Sequence, residues 1–442
     1  MKLHLKKGLD LRIAGALNSL EVSRTVDPVT VAVAPDDFPG FVPKLEVKEG
    51  DAVLAGTPLM HDKNHPAVKL VSPVSGKVKA VVRGERRKIV NVIVTNDMRY
   101  ESAPCDTTLP AVEQLCASGL LAMMRCRPYD IVPDPDITPR DIFITALDTA
   151  PLAAPLTASL AEGDSAAITV AVAALAEITS GKVYICHGSD WNCGDIPGAE
   201  MVEVSGPHPA GNPGIQIANI APVNKGEKVW TADILTVARF GRLLGTGRHD
   251  FHVNVAVTGP EVASPCVVRT VEGADINALV AGNLRDTSHR LRIISGNVLT
   301  GTAVTEADGY LHYPYRQVTV ILDGDDITEF MGWASISPSK WSHSPSFPLR
   351  WLHKTFSPDA RLLGGRRAMI MSGEYDRVLP MDIMAEYLLK AIISRNIDDM
   401  EALGIYEIAP EDMALCEYVD TSKLPIQQIV RDGLDYLRKE LE

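Results

Sequence analysis

The chain has 442 residues, 46% of them hydrophobic, and a formal net charge of −13. That length builds several domains with substantial cores, and the acidic balance excludes a general nucleic-acid binder, which needs a basic face. No run of 18 apolar residues occurs, so the sequence predicts no membrane-spanning helix.

The first residues, Met1 to Asp10, are basic but broken by Asp10 and Arg12, and do not read as a signal peptide. From residue 44 to 82, short β runs alternate with turn residues: Gly50-Asp51, Gly56, Pro58, Asn64, Pro66, Pro73 and Gly76. Alternation broken by Gly and Asp turns predicts hairpins. Two halves, one ending at Gly50-Asp51 and one at Ser72-Pro73-Val74-Ser75-Gly76, resemble the barrel-sandwich hybrid of biotinyl and lipoyl carriers. A carrier of that type would need an acceptor lysine at a hairpin tip. Lys63 is the one candidate, and it follows Asp51 by twelve residues, a shorter gap than a lipoyl acceptor requires. A solvated hairpin lysine is the competing reading.

From about residue 100 the pattern becomes α/β. The spacing predicts a helix over 111–124, a buried strand over 141–146, a helix over 166–179, and strands over 182–186 and 201–204. Strands alternating with helices predict a parallel, doubly wound sheet of Rossmann-like type. Ligands of such sheets bind at the carboxyl ends of strands. Two loops leave those ends. One contains Asp148 and Thr149; the other is Ser205-Gly206-Pro207-His208-Pro209-Ala210-Gly211. Asp148, Thr149, Gly206, His208 and Gly211 are therefore the candidate ligand contacts. The second loop is not G-x-G-x-x-G, and its prolines remove N–H donors that a phosphate cradle needs.

Residues 251–334 alternate strands, a Gly-Pro turn and a short helical stretch, and read as a soluble-ligand-binding β-grasp module. Residues 335–370 carry Lys340, Arg350, Lys354, Arg361, Arg366 and Arg367 against Asp359 alone, a local balance of +5. Trp341, Phe347, Trp351 and Phe356 lie among them. Aromatic and basic residues together suit a partner-docking arm or a membrane-surface contact, and Trp341, Phe347, Arg350, Trp351 and Phe356 are the docking candidates. A loop packed on its own domain is the alternative. Residues 371–442 read as a helical bundle, with helices expected over 381–394, 398–403, 410–418 and 425–441. The boundaries expected are 1–98, 99–250, 251–334, 335–370 and 371–442. The seven cysteines are scattered and include no C-x-x-C, which predicts free thiols and no grouped cluster ligands. No catalytic constellation and no metal-ligand motif is legible.

Motifs along the whole chain carry a resemblance. They include Lys7-Gly-Leu-Asp-Leu, Ser72-Pro-Val-Ser-Gly-Lys-Val, Arg127-Pro, Asp134-Pro-Asp, Ser205-Gly-Pro-His-Pro-Ala-Gly, Phe330-Met-Gly-Trp, Gly364-Gly-Arg-Arg-Ala-Met and Leu379-Pro-Met-Asp-Ile. The chain resembles the NqrA family, a component of the bacterial Na+-translocating NADH:quinone reductase. The resemblance implies a peripheral subunit on the cytoplasmic face of the bacterial inner membrane, within a complex that passes electrons from NADH to ubiquinone and expels Na+. It implies that NADH, flavins and iron–sulfur centres belong to sister subunits, so that no cofactor is assigned to this chain. Quinone contact by this component is proposed for the family, and no motif here carries it. The competing readings are a purely structural docking role and a biotinyl- or lipoyl-type carrier acylated on Lys63.

Overall fold

The computed structural model describes residues 1–285, 288–305, 308–327, 340–343, 347 and 354–441. The hairpin-rich stretch forms two small sheets facing one another. Thr30–Val33, Ile89–Asn96, Gly76–Arg83 and Ala52–Val53 make one, and Pro43–Leu45, Pro58–Asp62 and Lys69–Val71 the other. Val31, Leu59, Met60, Leu70, Val78, Val92 and Val94 fill the space between them. Alternation puts every second residue inside, which is why these short strands suffice. Gly76, at φ +152, starts its strand where a Cβ would lie 1.9 Å from the Thr95 carbonyl oxygen. Lys63 is exposed in the turn after Pro58–Asp62, and its N–H donates to the Val42 carbonyl at 2.8 Å.

The α/β sheet has six strands in the order Lys2–His4, Ala199–Ser205, Val183–His187, Asp141–Ala146, Val229–Asp233 and Arg125–Arg127. The first five are parallel and the last is antiparallel. Along Asp141–Ala146 the two faces separate cleanly. Ile142 and Ile144 point to the helices Asp164–Ala176 and Ile234–Thr246, whereas Phe143 points to the other face, where the C-terminal helices pack. The bundle is thus not free-standing: Leu388, Leu389, Leu415, Val430 and Leu434 share one core with Phe143, Tyr184, Val202 and Val204.

The third sheet runs Thr302–Ala303, Leu291–Ser295, Gln317–Leu322, His252–Thr258, Cys266–Val271 and Val22–Thr25. Helix Ile276–Val280 covers its core with Leu279 and Val280.

Several expected elements are shorter. The helix predicted over 111–124 ends at Ala117, because Gly119 at φ +77 turns the chain and Leu120–Met124 continues as buried turns. The helix predicted from 381 begins at Ala385, and a short helix Tyr375–Val378 precedes it. The first 25 residues leave the barrel: Lys2–His4 joins the α/β sheet and Val22–Thr25 the third sheet. Both are edge strands, whose exposed hydrogen-bonding edges accept any extended segment brought alongside. No helix among the described residues is long and apolar enough to cross a membrane.

Candidate functional site

A cleft of about 470 Å³ opens at the carboxyl ends of Asp141–Ala146 and Val229–Asp233. Its walls come from four places: Asp37 of the barrel, Asp148 and His208 of the α/β loops, Tyr315 and Arg316 of the third module, and Glu411 of the C-terminal helices. A parallel sheet leaves its strand ends open to one side, and the neighbouring modules enclose that side here.

Asp148, His208 and Gly211 line the cleft. Thr149 stands behind them and joins the two loops. The Gly211 N–H donates to Thr149 Oγ1 at 2.9 Å, and Thr149 Oγ1 lies 3.2 Å from His208 Nδ1. The threonine hydroxyl, with one proton and two lone pairs, holds both the Gly211 N–H and the His208 ring in place. His208 is neutral because burial pushes its pKa down to about 4, against the partial pull of Asp10. Its Nε2 is buried and makes no hydrogen bond among the described residues. The loop itself is pinned by the His208 N–H to Asp10 Oδ1 at 2.9 Å and by the Leu9 N–H to the His208 carbonyl at 2.8 Å. Gly206 does not line the cleft. At φ +143 it packs on Leu5, where a Cβ would meet the Leu5 carbonyl oxygen at 2.5 Å.

Asp148 is exposed to the cleft but deep within it. The protein mass around it raises its carboxyl pKa, and the Ala150 N–H at 2.8 Å and Arg316 only partly oppose that. Arg316 is the buried cation of the site. It pairs with Asp233 at 3.1 Å, and its guanidinium reaches Glu272 at 3.8 Å. Burial alone would raise Asp233, but Arg316, the Thr236 hydrogen bonds and Arg239 together outweigh it and hold the carboxylate below its ordinary range. Asp233 also caps the following helix through the Thr236 N–H at 2.8 Å. On the barrel side, Arg125 lies 5.7 Å from the Tyr313 ring centroid and 6.0 Å from that of Phe38, and donates to the Asp37 carbonyl at 2.7 Å. Glu411 meets Arg127 at 3.1 Å, and Arg127 also meets the fully buried Asp412 at 3.2 Å. Burial and the neighbouring Asp412 raise the Glu411 pKa. The cleft therefore offers an apolar wall of Leu147, Ala153, Pro155 and Leu156, a neutral imidazole and two carboxyls that hold protons more readily than free ones.

Three family models match consecutive parts of the chain. They are described as the NqrA N-terminal barrel-sandwich hybrid domain over residues 3–97, the NqrA second alpha/beta domain over 109–249 and the NQRA C-terminal domain over 254–306. Proteins named as the A component of Na(+)-translocating NADH-quinone reductase match end to end. The one from Serratia proteamaculans is 37% identical, that from Saccharophagus degradans 36% and that from Yersinia pestis 35%, each over 99% of both chains. The chain belongs to the NqrA family. Among solved structures, an NAD+-reducing [NiFe]-hydrogenase matches with a TM-score of 0.32 at 13% identity, over 50% of this chain and 49% of that one.

In this NqrA family member the aromatic residues of the basic segment face inward where they are described. Phe347 and Phe356 are 4% and 8% exposed. Trp341 stacks between Phe356, at 5.3 Å, and Tyr418, at 6.1 Å. Leu11 and Ile13 complete that cluster, and the Phe356 N–H donates to the Arg12 carbonyl at 3.0 Å. Arg350 and Trp351 lie outside the described residues. The cleft residues that sequence reasoning missed include Asp37, Arg125, Asp233, Tyr313, Tyr315, Arg316 and Glu411. The Tyr313-Pro-Tyr-Arg run was the one local signal, an aromatic and cationic cluster around a proline.

Proposed function

We propose that the chain serves as the NqrA component of a Na+-pumping reductase that carries electrons from NADH to quinone, and that its cleft contacts the quinone. Its partners are then the other subunits of that membrane-associated oxidoreductase complex, and its place is the cytoplasmic face of the bacterial inner membrane. The α/β module is read as Rossmann-like and the third module as a soluble-ligand-binding β-grasp fold.

The observation that carries the quinone reading is the Gly211–Thr149–His208 relay beside an apolar wall. A quinone is a flat apolar ring with two carbonyl acceptors. An imidazole whose Nδ1 is engaged by Thr149 and whose Nε2 has no partner among the described residues supplies one polar contact. Asp148, whose carboxyl pKa is raised by the protein around it, supplies a second.

The test uses the assembled complex carrying His208→Ala or Thr149→Val. The expected result is a raised KM for ubiquinone in both, with NADH oxidation by a water-soluble artificial acceptor unchanged. An unchanged quinone KM in both variants leaves assembly as the role of this chain and overturns the contact.

A further inference from the structure

We infer that His65, Asp134 and Asp136 form a binding site for a divalent first-row transition metal ion, which fastens the barrel to the α/β module. The three side chains come from two loops that the sequence sets about 70 residues apart. One donor atom from each lies within 4.8 Å of the others.

His65 Nδ1 and Asp134 Oδ1 are 3.5 Å apart. That is longer than a hydrogen bond between such groups. It matches the separation of two ligands on one ion: two donors at about 2.1 Å from a metal, subtending a tetrahedral or octahedral angle, stand about 3.0–3.5 Å apart. Asp136 is exposed, and its backbone N–H donates to Asp134 Oδ1 at 2.9 Å, which holds the two residues in one turn.

Both loops are held in place before any ion arrives. In the barrel turn, the Lys63 N–H donates to the Val42 carbonyl at 2.8 Å and the Val68 N–H to the His65 carbonyl at 2.9 Å. In the other loop Pro133 and Pro135 flank Asp134, and each proline restricts its own φ and the residue before it. Little entropy is left to lose on binding. Neither carboxylate is paired to a Lys or Arg among the described residues, and the ion-pair contact of Asp134 is the His65 imidazole. A cation is what that charge arrangement lacks. The donor set of one imidazole and two carboxylates selects the class of ion. Imidazole suits zinc, cobalt, nickel and iron, while calcium and magnesium take oxygen donors throughout.

The experiment uses the full-length chain without a histidine tag, stripped with a chelator and titrated with Co2+ and then Zn2+. The expected result is one cobalt per chain with a visible ligand-field absorption, displaced by zinc, and a rise in Tm with zinc, as mass action requires of an ion that binds only the folded chain. His65→Ala and Asp136→Asn should each lose the absorption and the zinc-dependent rise while keeping the metal-free Tm of the parent chain. Binding that persists in either variant, or a parent chain that takes up neither ion, overturns the site. Stabilisation by magnesium or calcium in place of zinc overturns the assigned class of ion.

Discussion

His312 shows how single residues join the modules. Its Nδ1 lies 2.7 Å from Asp37 of the barrel, and its Nε2 lies 3.2 Å from Asp308, which also accepts from Asn91 at 2.9 Å. Burial alone would push the imidazole down, but the two carboxylates win and raise it to about 10. Asp37 is raised in turn, chiefly by burial, which offsets part of the gain. A histidine with a raised folded pKa contributes stability that is complete below its unfolded value of about 6.5 and is lost as the pH climbs to about 10. His312→Gln should therefore cost about 3 kcal/mol at pH 6, because Asp37 stays behind in a buried site. The cost should shrink towards zero near pH 10, as read from urea unfolding across that range. None of this was legible in the sequence, since Asp37 and His312 stand 275 residues apart. Asp148, Thr149, His208 and Gly211 were legible as a group, because the carboxyl end of a parallel strand is a place that local pattern can locate. Arg125 and Arg316 were not, because they enter the same cleft from elsewhere in the topology.

Among the elements, the helix pair Asp164–Ala176 and Ile234–Thr246 sets the spacing of one face of the α/β sheet. Gly241 lies at their crossing, where a Cβ would meet the Ala167 carbonyl oxygen at 1.8 Å. Arg242 and Asp164 pair across the same contact at 2.9 Å. Gly241→Val should force the helices apart and cost about 3 kcal/mol or more, in the range of overpacked cores. Tm measured beside far-ultraviolet circular dichroism would show a lower transition with unchanged helix content; an unchanged Tm would mean that the helices separate at no cost. The helix expected over 166–179 forms over Asp164–Ala176, with Ile168, Ala171, Val172 and Leu175 buried and Val170 exposed. Its partner was not readable, because alanine and glycine faces carry no mark of what packs on them. The over-long helix read from residue 111 failed for a related reason: a run of leucines continued the apolar spacing past the glycine that ended the helix.

Across the whole molecule, the modules are bound by buried charge as well as by shared core. Arg127, fully buried at the antiparallel edge of the sheet, grips Asp412 at 3.2 Å and Glu411 at 3.1 Å. Asp412 is itself buried beside the Ala409 N–H at 2.9 Å. Arg127→Met should leave that carboxylate without compensation and destabilise the chain by about 3–5 kcal/mol. Adding Asp412→Asn to the variant should restore part of the loss, and a denaturation cycle of the single and double variants measures how much. The bundle and the sheet should unfold together, since Leu388 and Phe143 belong to one core. Two separate transitions would show that the core is not shared.

The strands Lys2–His4 and Val22–Thr25 have a consequence for how the chain is made. Lys2 pairs with Glu203 and Val22 with Val267. At roughly 5–20 residues per second, each strand leaves the ribosome about 10–50 seconds before its partner exists. The barrel that follows can close on its own residues during that interval, while the segment ahead of it stays unpaired. Each of these pairings is then the capture of a segment translated long before, and a chaperone that shields extended chain would find its client there.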